Sequence, residues 1–414
     1  MVERPTGMMR ADDDRDGSAP RSGPAAVEGM DPGAAAATTL AAALVAVPSV
    51  NPALEEGGAG EAKLAELTAE WLADWGFAVD RVEGPGGRPS VVGRLARGAG
   101  PRLVLNGHLD TVGVEGMTVA PYGGEVRGGR LYGRGAADMK GGVAALLAAA
   151  RDAAREAGGP SRGELIVTLV ADEEHASEGM RAVLDAGLDA DAAIVCEPTS
   201  LAVAPAHKGF VWLEVEFRGR AAHGSRPARG IDAIRHAGRF LARLDAIEST
   251  IVAGPPHPLL GHGSVHAGTI AGGSAPSVYP DRCRVVLERR TLPGETAADA
   301  RAEVEALLRE LAEDVPELDA RVEVRLARPG TEAPSDSAIV HALEAALEAE
   351  GRPPRTAPMT AWVDAALLNR AGIPAVCFGP GDIEAAHSPD ESVDVAEVET
   401  AHRVLRRLIG RFPS

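Results

Sequence analysis

The sequence predicts an α/β fold in which helices cover both faces of a mostly parallel sheet and a smaller α+β unit is inserted. The first observation is that short, wholly apolar runs, such as residues 165–170 and 192–195, alternate with helical stretches, as is typical of parallel strands buried on both faces. The second is that strands between about residues 208 and 328 alternate apolar and charged positions, which indicates a sheet with one solvated face. The third is the length of 414 residues, at which a single core usually divides into two.

The elements of the larger part follow from apolar periodicity. Helices are predicted over residues 39–47, 61–75 and 141–153, and strands over residues 102–106, 165–170, 192–195 and 375–378. From about residue 333 the chain returns to long helices around the last of these strands. These elements predict a larger domain made of residues 35–207 and 329–414.

The smaller unit, residues 208–328, is called the insert below. Its first predicted strand, over residues 211–218, places Val211, Leu213 and Val215 on one face and charged residues on the other. A helix over about residues 230–244, a strand over 283–290, an amphipathic helix over 297–311 and a strand over 321–326 follow. The predicted order within the insert is therefore β-α-β-α-β.

Composition excludes several classes of function. The formal net charge of -18 argues against partners such as nucleic acids and anionic membranes. No apolar run reaches the length of a transmembrane helix. Cys196, Cys283 and Cys377 have neither zinc-finger nor redox-motif spacing, and so sparse a set is typical of a reducing compartment, which predicts a cytoplasmic location.

The first 34 residues differ from the rest of the chain. They are rich in Asp, Arg, Gly, Pro and Ser and lack the apolar stretch of a signal peptide. Because such a segment cannot bury enough apolar surface to fold, residues 1–34 are predicted to form a disordered tail.

Polar side chains follow the predicted strands at their carboxyl ends, where the functional groups of parallel sheets gather. In chain order these residues are His108 with Asp110, Asp138 in a glycine-rich run, Glu173 with Glu174, Glu197, and His387. Singly, each has a plain explanation, since aspartate often caps a helix and paired glutamates often form a solvated turn. Together, the two histidines and three of these carboxylates form a donor set suited to zinc, cobalt or manganese, one shared carboxylate can bridge two ions, and a remaining glutamate can act as a base.

These motifs resemble the family of co-catalytic zinc hydrolases that includes acetylornithine deacetylase, succinyl-diaminopimelate desuccinylase, aminoacylase and carboxypeptidase G. The resemblance runs from about residue 40 to the C-terminus. The segments that carry it are residues 107–112, 132–142, 171–174, 196–199, 222–227 and 387–391. It implies that the larger domain is the catalytic, metal-binding domain and that the insert is a lid through which two chains form a homodimer.

The resemblance also implies five ligands around two divalent metal ions, with zinc as the expected metal and cobalt or manganese as alternatives. Asp138 is shared by both ions, His108 and Glu197 complete the first site, and Glu174 and His387 complete the second. The shared carboxylate and the mixed nitrogen and oxygen donors agree with the chemistry that the strand ends predict on their own.

Five further residues receive roles from the resemblance. Asp110 orients the first ligand histidine, and Glu173 is the general base that takes a proton from water. His223, in the insert, helps hold the developing oxyanion, often across a dimer interface. Arg290 grips a substrate carboxylate, although a surface arginine paired with a nearby glutamate is the alternative. Ser277 stands where the family usually carries a substrate-contacting asparagine, and its shorter hydroxyl keeps the expected substrate class broad.

The predicted function is that of a metal-dependent amidohydrolase that removes the acyl group from an N-acyl amino acid. The alternative is a dipeptidase or glutamate-type carboxypeptidase that acts on small peptides, and a hydrolase of N-carbamoyl groups is a third candidate. A non-catalytic binding or regulatory protein is a candidate from a different functional class. It predicts that a ligand or the base is lost, whereas all five ligands and Glu173 are present.

Overall fold

The computed structural model describes residues 30–155 and 162–412, so most of the predicted tail lies outside the described residues. Its helices are α1 (Ala37–Val45), α2 (Ala62–Asp74), α3 (Gly141–Arg155), α4 (Glu178–Asp185), α5 (Ala233–Leu241), α6 (Leu244–Ala253), α7 (Ala297–Asp314), α8 (Ala338–Ala349), α9 (Ala365–Arg370) and α10 (Val395–Arg411). Its strands are β1 (Ala78–Glu83), β2 (Pro89–Ala96), β3 (Arg102–His108), β4 (Glu125–Arg127), β5 (Arg130–Tyr132), β6 (Glu164–Val170), β7 (Ala192–Val195), β8 (Ala206–His207), β9 (Gly209–Arg218), β10 (Ser264–Gly272), β11 (Arg282–Thr291), β12 (Asp319–Arg328), β13 (Thr331–Glu332), β14 (Ala375–Cys377) and β15 (Ser392–Asp394).

The central sheet has six strands in the order β1-β2-β6-β3-β7-β14. The β6-β3, β3-β7 and β7-β14 pairs are parallel, whereas β1-β2 and β2-β6 are antiparallel. The predicted α/β class with a mostly parallel sheet is therefore confirmed. The sequence did not reveal β1, because its exposed side chains give it no apolar run.

Register brings the strand ends to one edge of this sheet. His108, the last residue of β3, pairs with Val170, the last residue of β6, and Asn106 pairs with Val195 at the end of β7. Because the parallel strands end together, the segments that follow them meet at the same edge.

Apolar clusters cover both faces of the sheet. One cluster includes buried residues of α1, α2, α3, α8 and α10, and the other includes buried residues of α4 and α9. Polar contacts also join the helices, since His402 Nε2 on α10 lies 2.8 Å from Asp152 Oδ2 on α3 and Thr38 Oγ1 on α1 donates to Glu399 Oε1 at 2.7 Å. Within the described residues, no helix is long and apolar enough to cross a membrane.

The insert contains a second, antiparallel sheet in the order β10-β11-β9-β12, with its own apolar cluster beneath α5, α6 and α7. The predicted helix over residues 230–244 is wrong in extent, since a turn at residues 242–243 separates α5 from α6. The predicted β-α-β-α-β order is also wrong, because it lacks α6 and β10. Strand β10 is exposed along most of its length, so it carries no apolar alternation for sequence reasoning to detect.

The chain enters and leaves the insert at neighbouring points. Strand β8 pairs antiparallel with β13, so the two connecting segments run side by side. Gly209 and Gly330 lie so close that a Cβ atom on Gly209 would clash with the backbone nitrogen of Gly330. We propose the predicted boundaries, residues 35–207 and 329–414 against residues 208–328, as the domain division, and the separate apolar clusters support it.

Candidate metal centre

His108 lies buried at the end of β3. Its Nδ1 atom is 2.9 Å from the main-chain oxygen of Asp110, whereas the Asp110 carboxylate is 3.7 Å away. A carbonyl oxygen accepts only, so Nδ1 carries the proton and a neutral ring leaves Nε2 free to bind a metal. The structure therefore assigns the orienting contact to the Asp110 main chain.

Asp138 lies at the bend that precedes α3. Gly135 has a φ of 81°, in the left-handed region, and a Cβ atom there would meet Thr111 and Lys140. The Asp138 carboxylate stands between two histidines, with Oδ1 2.9 Å from His108 Nε2 and Oδ2 3.5 Å from His387 Nε2. One carboxylate thus presents a separate oxygen to each of two donor groups.

Glu391 holds the backbone of that bend, a role that sequence reasoning missed. Its Oε1 atom accepts from the Ala137 and Asp138 amides at 3.0 and 3.2 Å, and its Oε2 atom accepts from Arg134 Nη1 at 2.6 Å. Both side chains of this ion pair are buried. The only signal in the sequence was the place of Glu391 at the end of the motif that begins at His387.

Glu173 and Glu174 follow β6 and point in different directions. Glu174 reaches His387, whose Nε2 atom lies 3.1 Å from Glu174 Oε2. Glu173 Oε1 is buried and has no hydrogen-bond partner among the described residues. Burial, and then the charge of Glu197, raise the pKa of Glu173 well above its usual value.

The ligand atoms form two overlapping groups. His108, Asp138 and Glu197 place one ligand atom each within 4.8 Å of one another, and so do Asp138, Glu174 and His387. The donors are imidazole nitrogens and carboxylate oxygens, and the crowded carboxylates require positive charge. These residues fit two divalent cations that share Asp138, and the structure brings together all five predicted ligands and the predicted base.

The three predicted residues of the insert are placed differently. His223 is exposed, and the Gly224 amide next to it donates to the Ser277 carbonyl at 2.7 Å. Arg290 Nε donates to Glu288 Oε1 at 2.7 Å, and its guanidinium lies 5.5 Å from the Phe210 ring centroid. Among the described residues, no hydrogen bond or ion pair joins these three to the five ligands, so their roles stay predictions.

Known proteins are similar to this chain in sequence and in fold. Residues 104–411 match peptidase family M20/M25/M40. An acetylornithine deacetylase from Myxococcus xanthus is 36% identical over 318 residues, which cover 75% of this chain and 80% of that protein.

Two solved structures share the fold at low sequence identity. A metallo-carboxypeptidase of the M20 family from Sulfolobus solfataricus aligns with a TM-score of 0.74 at 16% identity and covers 90% of this chain and 98% of its own. A dinuclear metal binding peptidase from Bacillus subtilis aligns with a TM-score of 0.70 at 18% identity and covers 90% of this chain and 96% of its own. The resemblance read from the motifs is confirmed, and the chain belongs to peptidase family M20/M25/M40.

Proposed function

We propose that this protein is a metal-dependent amidohydrolase that removes the acyl group from an N-acyl amino acid. The observation that carries the proposal is the Asp138 carboxylate, which is shared by two donor groups next to Glu173, whose buried Oε1 atom has no hydrogen-bond partner among the described residues. The acetylornithine deacetylase that is 36% identical to the chain supports this choice of substrate class.

The residues of the chain suit amide hydrolysis. When bound, two divalent cations supply the positive charge that polarises an amide carbonyl and acidifies water. Glu173 Oε1, which accepts from no donor in the part of the chain that the structure describes, takes a proton from water and passes it to the leaving nitrogen. We propose zinc as the metal, with cobalt or manganese as alternatives, and a cytoplasmic location stays a prediction.

His223 is suited to donate to an oxyanion. Its Nδ1 atom lies 2.8 Å from Ser225 Oγ and accepts from the Ser225 amide at 3.2 Å, and a neutral ring that accepts at Nδ1 carries its proton on Nε2. A single well-placed donor of this kind contributes about 3–4 kcal/mol to the stabilisation of a developing oxyanion. Because His223 is exposed in the insert, that donation needs closure of the insert or the approach of a second chain.

A substrate panel tests the proposed reaction. The zinc-loaded protein is incubated with N-acetyl and N-succinyl amino acids and with dipeptides, and free amines are measured with ninhydrin and mass detection. We expect turnover of the acylated amino acids and none in protein stripped with a chelator. Turnover of dipeptides alone would replace the proposal with the alternative peptidase, which the peptidases of similar fold also fit.

We also propose a homodimer that forms along the edge of β10. This strand has a free edge in the sheet of the insert, and Ile270 on it is 54% exposed. Ile234, on the adjacent helix α5, is 43% exposed, and it lines an open cavity of about 760 Å³ together with Gly272, the last residue of β10. An exposed edge strand with apolar side chains pairs readily with a second copy.

Matched substitutions on the two edge strands test this dimer. By sedimentation, the wild type is expected to have the mass of two chains. Ile270→Lys is expected to give monomers whose turnover falls by about 10²- to 10³-fold, the loss typical of one oxyanion donor, because His223 of the partner subunit is then absent. Val324→Lys on the opposite edge strand β12 is expected to leave the dimer intact. A monomeric wild type with full activity would refute the proposal.

A further inference from the structure

A buried chain of polar side chains lies behind the segment that carries Glu173 and Glu174. We call it the Asn51 network, and its members are Glu61, Arg88, Asp172, Asn51 and Asp110. These residues come from four separate parts of the sequence. Four of the five are at least 96% buried, and Arg88 is partly buried. None of them is one of the five ligands.

Asn51 is the link between two carboxylates of this network. Its Nδ2 atom donates to Asp110 Oδ2 at 2.8 Å and to Asp172 Oδ1 at 3.1 Å, and its Oδ1 atom accepts from the Ala53 amide at 2.9 Å. Every polar group of this fully buried amide is therefore paired. An aspartate at position 51 would have the same shape but no donor, and it would place a third carboxylate between the other two.

The Asp110 carboxylate connects Asn51 to the backbone of Glu173 and Glu174. Its Oδ1 atom accepts from the Glu173 amide and its Oδ2 atom from the Glu174 amide, each at 3.1 Å. The Asp110 carboxylate thus fixes the backbone from which both the proposed base and one proposed ligand project. Asn51 in turn holds this carboxylate, because it donates to the same Oδ2 atom that accepts from the Glu174 amide.

Glu61 and Arg88 anchor the other end of the segment. The Asp172 amide donates to Glu61 Oε1 at 3.2 Å, Arg88 Nε donates to Glu61 Oε2 at 3.1 Å, and Arg88 also forms an ion pair with Asp172. Asp172 has a φ of 66°, a left-handed conformation that a residue with a side chain keeps only where its surroundings hold it. The network therefore holds a strained backbone at the position just before Glu173.

We propose that Asn51 is a positioning residue for the second metal site, the one completed by Glu174 and His387, and that Arg88 assists it. The first site is less dependent on Asn51, because His108 bonds to the main-chain carbonyl of Asp110 and not to the carboxylate that Asn51 holds, and no member of the network bonds to Glu197 among the described residues. Loss of Asn51 frees Asp110 and Asp172 to repel each other, and the two glutamates shift with their backbone. This inference rests on the proposed two-ion centre.

Calorimetric titration of the full chain with Zn²⁺ tests the proposal without measuring turnover. The wild type is expected to bind two ions. In Asn51→Ala and Asn51→Asp, the second ion is expected to bind about 10- to 100-fold more weakly, the range typical of residues that orient metal ligands, while the first changes by less than about three-fold. Arg88→Gln leaves Asn51 in place and is expected to weaken the binding of the second ion as well, by a smaller factor.

Two reference variants define the outcomes. His387→Ala removes one ligand of the second site directly, so its titration shows what the loss of that site looks like. Asn369→Ala removes two side-chain bonds to Ala375, remote from the centre, and is expected to bind both ions like the wild type while its melting temperature falls. Equal weakening of both ions in the Asn51 variants, or no weakening, would overturn the positioning role. A wild type that binds fewer than two ions would instead overturn the metal centre itself.

Discussion

Replacement of Glu173 by glutamine is expected to lower turnover by about 10²- to 10⁴-fold, the usual contribution of a general base. Glutamine has nearly the same shape but cannot accept a proton from water at neutral pH. Because Glu173 belongs to neither donor group, the variant is expected to bind the same number of ions as the wild type. Steady-state kinetics with an N-acyl amino acid and metal analysis of the dialysed protein measure the two quantities.

Glu164→Gln is a suitable control for that experiment. Glu164 begins the strand that ends just before Glu173, and it pairs with Arg94 at 3.6 Å, so the change removes a similar charge at the opposite end of β6. The control is expected to retain turnover. If Glu173→Gln retained it as well, the assigned base would be wrong, and if the variant lost its ions, Glu173 would be a ligand.

Replacement of Asp138 by alanine is expected to have the largest effect, because both proposed metal sites use this carboxylate. The variant is expected to retain fewer than two ions after dialysis and to show no measurable turnover. An ion present at about 100 times its dissociation constant stabilises a protein by about 2.7 kcal/mol per site. The zinc-dependent rise in melting temperature is therefore expected to shrink or vanish in Asp138→Ala.

An exposed aspartate provides the comparison. Asp185, the last residue of α4, lies on the surface, and Asp185→Ala is expected to keep both ions and the full zinc-dependent rise in melting temperature. Two ions retained by Asp138→Ala would contradict the shared-ligand arrangement. One ion retained with near-normal activity would show that the reaction needs a single site.

The buried parallel strands β3, β6, β7 and β14 were predicted from the sequence, since a wholly apolar strand followed by histidine or carboxylate residues has a distinctive pattern. The buried strand β2 was not predicted, because Gly93 and Arg94 interrupt its apolar run. Strand β10 was not predicted, because its exposed side chains give no apolar periodicity. Asn51 and Glu391 received no role from the sequence for another reason: their partners lie about 60 to 250 residues away, and the one local signal was the place of Glu391 at the end of the motif that begins at His387. Contacts of this kind depend on the complete fold.

The position of Arg290 illustrates a further limit. The sequence left two readings open, a grip on a substrate carboxylate and a surface pair with a glutamate. The structure shows the pair with Glu288. Burial, and then the positive charge of Arg290, lower the pKa of Lys208, so Lys208 also lies near Arg290. Arg290 and Lys208 carry two positive charges beside the single negative charge of Glu288. The positive charge that remains is compatible with binding of a substrate carboxylate, which stays a prediction.

The pairing of β8 with β13 also bears on how such a molecule can be rebuilt. The chain leaves the larger unit and returns to it at adjacent positions, so the insert, residues 208–328, is joined to that unit through two neighbouring ends. Segments with abutting ends can be excised, shortened or exchanged with little stretching of the host backbone. A chimaera in which the insert of another protein is joined at Gly209 and Gly330 would separate the contribution of the larger unit to substrate recognition from that of the insert.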